Sequence, residues 1–105
     1  MRTFSVSLAG LLLSAGLLPA QGDKDKGKEV YEQCSVCHNA DSEEKKMGPG
    51  LKGLFKKETM SDGKTKPTEP NVRKKVDQGG NGMPAYEEML TKEEKDHLIA
   101  YLKTL

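Results

Sequence analysis

The stretch Cys34-Ser35-Val36-Cys37-His38 decides the fold expected for this chain, because two cysteines stand three positions apart and a histidine follows at once. This spacing matches C-x-x-C-H, the motif for covalent haem attachment. Each thiol can add across one vinyl group of the same porphyrin, and the imidazole of His38 can then bind the iron as its proximal ligand. The motif therefore predicts one covalently bound haem c on Cys34 and Cys37.

Three other interpretations of the two cysteines remain as weaker alternatives. A redox C-x-x-C of the thioredoxin kind should follow a strand in a βαβ pattern, and no such pattern precedes Cys34. A zinc site would need both cysteines, His38 and the distant His97, which we expect on the surface of the last helix; the usual second ligand pair is missing. A disulfide between the two cysteines would close a loop too small to add much stability.

The first 20 residues are typical of a secretory signal peptide. They contain one basic residue, Arg2, then an apolar run of about eleven residues and small residues beyond it. That run is short for a membrane-spanning helix, which needs about 20 apolar residues, so an uncleaved anchor is the weaker alternative. We expect one domain over residues 21–105, exported to the periplasm or otherwise to the outer side of the cytoplasmic membrane, without stable membrane insertion after cleavage. The cleavage site itself is not determined by the pattern.

Charge is strongly segregated along this domain. Residues 45–75 contain ten Lys and Arg against three acidic residues, whereas acidic residues are in excess on both sides of this segment. A balanced total with a basic centre argues against nucleic-acid binding. It suggests a surface that can orient the molecule before an acidic docking patch on a transient redox protein partner. We expect the protein to be a monomer. The alternative is that these lysines only solvate a loop-rich region.

Periodicity predicts three helices. The first covers about 24–33, and its apolar face would carry Gly27 and Tyr31. The second begins near Glu69, buries Val72 and Val76, and is stopped by glycines at 79 and 80. The third follows the capping box at 91–94 and has an apolar face made of four residues, Leu98, Tyr101, Leu102 and Leu105. We expect it to cross the first helix at Gly27, where no side chain separates the backbones.

The segments between these helices are predicted to be loops. Leu51, Leu54 and Phe55 could form a wall beside the haem, with glycines at 50 and 53 allowing the backbone to approach it. Residues 56–68 are rich in lysine and contain the turn signal Asp62-Gly63. The stretch 79–85, GGNGMPA, cannot be regular helix, and it displays a single thioether, that of Met83.

Taken in order, four motifs resemble those of a small bacterial class I cytochrome c. They are 34–38 (CSVCH), 48–55 (GPGLKGLF), 82–86 (GMPAY) and 98–102 (LIAYL). The resemblance spans nearly all of residues 21–105. It implies an all-α fold, the small cytochrome c fold, with three to four helices and loops wrapped around one haem.

The resemblance also implies the roles of individual residues. Cys34 and Cys37 would form the thioethers, His38 would be the proximal axial ligand of the iron and Met83 the distal one. The carbonyl of Pro49 would accept the free N–H of His38 and so orient its imidazole. Because methionine is more often a core filler than a ligand, the choice of thioether needs separate weighing. The rival distal ligand is Met60.

Axial ligation by an imidazole and a thioether closes both faces of the iron, so the expected function is one-electron transfer and not catalysis. The alternative function is a haem-based sensor or small-gas binder, in which a labile Met83 would open the distal position. An enzyme such as a peroxidase is disfavoured, since the sequence offers no evident distal acid-base pair.

Overall fold

The computed structural model describes residues 22–105, and in this part of the chain all regular elements are helical. There are three α-helices and one short 3-10 helix: α1 (Lys24–Tyr31), the 3-10 helix (Leu54–Lys56), α2 (Glu69–Gln78) and α3 (Lys92–Leu102). The described residues contain no strand, only an isolated bridge between Gly80 and Met83. The expected all-α architecture with three to four helices is confirmed. The predicted signal peptide, 1–20, lies outside the described residues.

All three α-helices begin at a side chain that accepts backbone hydrogen bonds. These caps are Asp23, Thr68 and Thr91. The predicted capping box is present, because the amide of Thr91 also donates to the Glu94 carboxylate at 2.8 Å. The predicted stop of α2 is also present, at Gly79 with a positive φ of 63°. Local sequence signals therefore define most helix ends correctly.

The end of α1 differs from the prediction. The helix ends at Tyr31 and not at Gln33, and the chain continues in turns as far as Cys37. The amide of Cys34 donates to the carbonyl of Tyr31 at 2.7 Å, an i to i+3 bond. Such bonds wind the backbone more tightly than an α-helix. Both cysteines therefore lie in the turns that follow α1 and not in the α-helix itself.

The first and last helices cross at Gly27, as predicted. A Cβ atom built on Gly27 would overlap the carbonyl oxygen of His97 and would lie 2.8 Å from the Cβ of Tyr101. The two backbones are therefore in direct contact at this point. Next to the crossing, the rings of Tyr31 and Tyr101 pack with centroids 5.2 Å apart.

His97 is not a free surface residue, contrary to expectation. It is half-buried, and its Nδ1 accepts a hydrogen bond from the backbone amide of Asp23 at 2.8 Å. The bond joins the residue that caps α1 to the middle of α3. His97 therefore stabilises the helix crossing.

The core lies between the helices and the loops that join them. Its buried members are Tyr31, Leu54, Val72, Val76, Tyr86, Leu90, Leu98, Ile99 and Leu102. Ile99 lies outside the predicted apolar face of α3, and it is buried because α3 packs against both α1 and α2. Lys95 and Asp77 pair across α3 and α2 at 2.6 Å, and Arg73 pairs with Asp96 between the same helices. These contacts position α2 and the loop that follows it.

The described residues contain no helix long and apolar enough to cross a membrane.

Replacing Gly27 with valine tests the crossing. The new side chain would overlap the His97 carbonyl, so the free energy of unfolding should fall by about 3 kcal/mol, at the upper end of the usual cost of overpacking. Glu29→Ala on the exposed side of the same helix is the control and should change it by less than about 0.5 kcal/mol. Chemical denaturation measures both values. Equal losses in the two variants would contradict close packing at Gly27.

Candidate functional site

The two thiols lie in the turns that follow α1. Both are free, so the structure does not contain the disulfide considered above. Cys34 packs against the core, and burial, followed by the charge of Cys37, raises the pKa of the Cys34 thiol to about 11. Redox-active C-x-x-C pairs depend instead on a lowered thiol pKa. The thioredoxin interpretation is therefore not supported.

The zinc interpretation is not supported either. Within residues 22–105, no three or more His, Cys, Asp or Glu side chains converge as a metal site would require. The Nδ1 of His97, the distant member of that set, accepts the Asp23 amide instead.

His38 is held by its backbone and by its side chain. Its amide donates to the carbonyl of Cys34 at 3.0 Å, and its Nδ1 lies 2.8 Å from the carbonyl oxygen of Pro49. A carbonyl oxygen can only accept, so this contact places the proton on Nδ1. In the neutral imidazole the other nitrogen, Nε2, then carries a free lone pair, the state that binds a metal ion. The structure thus brings His38 and Pro49 together as expected.

The backbone carbonyl of His38 has a partner of its own. The hydroxyl of Tyr31 donates to it at 2.9 Å. Tyr31 is only 4% exposed, and its burial raises the pKa of its hydroxyl to about 12. The hydroxyl therefore stays protonated, and able to donate, at neutral pH.

Gly48 is the residue of the site that sequence reasoning missed. A Cβ atom built on it would lie 2.5 Å from Cε1 and 2.9 Å from Nδ1 of His38, so its backbone lies directly against the imidazole. Its amide donates to the carbonyl of Cys37 at 2.7 Å. The expected close approaches were at Gly50, which lies against the backbone of Ser42 and Glu43, and at residue 53. The sequence feature that could have indicated this contact is the position of Gly48, immediately before the residue expected to bind His38, Pro49.

The apolar residues that follow Pro49 belong to the core or pack against it. Leu54 is buried, and Leu51 and Phe55 pack against the core. Together with Pro49 and Met60, Leu51 and Leu54 line a cavity of about 170 Å³. Met60 thus lies on the wall of this cavity that the lysine-rich segment 56–68 forms.

The lysine-rich segment 56–68 is a loop closed by the predicted turn. The carboxylate of Asp62 accepts the amides of Lys64 and Thr65, both at 2.9 Å, and Gly63 has a φ of 75°. The amide of Met60 donates to the carbonyl of Thr65 at 2.7 Å. Met60 therefore lies at the base of this turn.

Met83 follows an unusual backbone segment. Four successive residues, 79–82, have positive φ angles, and Asn81 at 53° is the one member that is not glycine. Gly80 and Met83 exchange backbone hydrogen bonds of 2.9 and 3.1 Å across this segment. The Nζ of Lys75 donates to the carbonyl of Gly79 at 3.2 Å. Hydrogen bonds thus hold the segment at both ends, and the side chain of Met83 packs against the core.

Exposure separates the candidate thioethers. Met47 is 78% exposed and Met89 is 61% exposed, whereas Met60 and Met83 are partly buried against the core. Met47 lies beside the haem attachment motif, with its Sδ 3.9 Å from the Sγ of Cys37. A ligand in an apolar site must be desolvated, so Met60 and Met83 remain the two candidates, as the sequence suggested.

The side chains described above match the donor set that a haem c requires. Two free thiols stand three residues apart, and the adjoining imidazole has its tautomer set by Pro49. A thioether packs against an apolar core in Met83 and in Met60. The residues present therefore fit a covalently bound haem.

Two comparisons relate this chain to known proteins. The family model described as cytochrome c matches residues 24–105. The solved structure of cytochrome c6 from the diatom Phaeodactylum tricornutum superposes with a TM-score of 0.61 at 25% sequence identity. The match covers 79% of this chain and 93% of the diatom chain.

Replacing Gly48 with alanine tests the packing on His38. The added methyl group should displace the imidazole from Pro49, change the His38 ring ¹⁵N chemical shifts in NMR spectra and cost about 1–3 kcal/mol of stability. Gly63→Ala is the control, because its strained φ of 75° should cost about 1 kcal/mol, with no atom near the new methyl group. That variant should leave the His38 shifts unchanged. Unchanged His38 shifts in Gly48→Ala would show that the contact has no effect on the imidazole.

Proposed function

Because the chain belongs to the cytochrome c family, as a small class I member with one covalently bound haem c, we propose that it shuttles single electrons with His38 and Met83 as axial ligands. The family supports the electron-carrier role itself. The observation that carries the assignment of His38 is the 2.8 Å contact between its Nδ1 and Pro49, which leaves Nε2 free for iron. When bound, the haem supplies an iron centre that changes by one electron.

The two thiols have distinct surroundings in this proposal. Cys34 lies against the core next to Tyr31, whereas Cys37 lies beside the exposed Met47. Thioether bonds at both positions would hold one edge of the haem between the core and the protein surface. Both cysteines are partly buried, so this attachment site would lie at the boundary of the core, where an edge of the haem would be available for electron transfer.

Met83 is the distal ligand that we propose from the two partly buried thioethers. Its loop is closed by reciprocal hydrogen bonds with Gly80 and by the bond from Lys75 to Gly79. A loop held in this way can present the same sulfur atom to iron in both oxidation states, which keeps reorganisation small. The soft sulfur also favours ferrous iron and so raises the reduction potential. Met60 also lies in a hydrogen-bonded turn, so the choice of Met83 rests on the place of its 82–86 motif in the order of the cytochrome c motifs.

The surface around Cys37 fits a transient redox partner. Val36 is 69% exposed and Met47 is 78% exposed, and the exposed Lys45 and Lys46 lie next to Met47 in the chain. The Nζ of Lys46 donates to the carbonyl of Ser35 at 2.9 Å, which places this cation beside the haem motif. An apolar spot with a basic border matches a small, salt-sensitive contact with an acidic patch. We infer brief complexes formed by a monomer.

The site of action follows from the same proposal. Residues 1–20 would direct export as a signal peptide, and residues 21–105 would act on the outer side of the cytoplasmic membrane.

Substitution of Met83 is the principal test of the proposed function. Met83→Ala should abolish the weak red charge-transfer band of the oxidised protein and lower its reduction potential, because the thioether ligand is lost. Met60→Ala, the matched control at the other partly buried methionine, should retain the band. Absorption spectroscopy and redox titration measure both. A band lost only in Met60→Ala would assign the ligand to Met60, and rapid carbon monoxide binding by the unaltered ferrous protein would favour the sensor.

Charge reversal beside the haem motif tests the docking surface. The double variant Lys45→Glu, Lys46→Glu should be oxidised by anionic ferricyanide several-fold more slowly at low salt, and the difference should vanish at about 1 M salt. Lys92→Glu, at the exposed start of α3, is the control for a change of charge outside the basic segment; it lowers the net charge by two units, and the double variant lowers it by four. Stopped-flow absorbance measures the rates. If both variants slow oxidation by the same factor per unit of charge removed, the rate depends only on net charge and not on the surface beside the haem motif.

A further inference from the structure

We propose that Tyr31 is a positioning residue for the axial histidine, whose hydroxyl links the packing of α1 and α3 to the backbone of His38. The hydroxyl donates to the His38 carbonyl at 2.9 Å, seven residues further along the chain. Tyr31 is buried at the end of α1, where a hydroxyl without a partner would be costly. This inference rests on the proposed function, since it takes His38 as a ligand of the iron.

Three separate hydrogen bonds restrain His38, and each restrains a different part of it. Its amide donates to Cys34, its imidazole donates to Pro49, and its carbonyl accepts from Tyr31. The bond to Pro49 orients the imidazole but leaves the peptide group after His38 free to rotate. The bond from Tyr31 restrains that peptide group, and with it the Cα–Cβ direction from which the imidazole extends.

The position of Tyr31 depends in turn on the terminal helices. Its ring packs on Tyr101 at 5.2 Å between centroids, and the Cβ of Tyr101 lies at the Gly27 crossing. A shift of α3 against α1 would therefore move the tyrosine ring and its hydroxyl. The chain of contacts runs from Gly27 through Tyr101 and Tyr31 to the carbonyl of His38. Helix packing thus acts on the histidine through one hydroxyl group.

Tyr31→Phe in the haem-containing protein tests this role, because it removes the hydroxyl and keeps the ring. Tyr101→Phe is the matched control, since within residues 22–105 the structure shows no hydrogen bond made by the Tyr101 hydroxyl. The readouts are the ¹³C shift of the His38 carbonyl in the reduced protein and the rate at which His38 leaves the iron after a jump to acidic pH. Both are independent of any redox partner.

We expect Tyr31→Phe to move the His38 carbonyl signal to lower frequency and to accelerate acid detachment about 5-fold, the factor that one neutral hydrogen bond is worth. Tyr101→Phe should do neither. In an equal mixture of H₂O and D₂O, the ring Cζ signal of Tyr31 in the unaltered protein should split into two lines, because a buried, hydrogen-bonded hydroxyl exchanges its hydrogen slowly. This last readout uses the unaltered protein and so does not depend on whether a variant folds.

Two results would overturn the inference. One is an unchanged His38 carbonyl signal in Tyr31→Phe together with a single Tyr31 Cζ line in the H₂O and D₂O mixture. The other is equal acceleration of detachment by the two phenylalanine variants, which would indicate general loosening. Failure of the proposed function is separately visible in the unaltered reduced protein. His38 ring protons that lack the large ring-current shift of a haem ligand would refute ligation by His38, and this inference with it.

Discussion

The hydrogen bond between His38 Nδ1 and the Pro49 carbonyl is the interaction on which the site depends. It joins the turns after α1 to the loop that follows them, and it sets both the tautomer and the orientation of the imidazole. The neighbouring contacts make this bond possible. Gly48 leaves room for the imidazole, and its amide donates to the carbonyl of Cys37, so the loop is attached to the haem motif next to His38.

The helices make the arrangement rigid from outside the site. Contact at Gly27 and the bond from the Asp23 amide to His97 hold α1 against α3. Ion pairs from Asp77 and Arg73 hold α2 against the same helix, and α2 leads directly into the segment that presents Met83. Thus α3 supports both proposed ligands, since α1 precedes His38 and α2 precedes Met83. A small chain without tryptophan obtains a defined site in this way from few buried side chains.

Several features were predictable because they depend on residues close in sequence. The capping box at Thr91, the stop at Gly79 and the Asp62-Gly63 turn are local hydrogen-bonding patterns, and each is present. The burial of Val72 and Val76 follows from helical periodicity. Gly27 was predictable for a further reason, since a glycine on the apolar face of a helix marks a place where another backbone can approach. The motif at 34–38 indicated the haem because its two thiols and its imidazole lie within five residues of one another.

Other features became visible only in three dimensions. Gly48, the hydroxyl of Tyr31 and the half-buried His97 all act on partners chosen by tertiary packing. Sequence alone determined the chemical groups available, the helices that carry them and the family resemblance. Tertiary structure decided which carbonyl each donor reaches, and which thioethers are partly buried against the core. The physical reason is that hydrogen bonds and close contacts require residues far apart in the chain to be placed to within a few tenths of an ångström, whereas spacing and periodicity describe only neighbours.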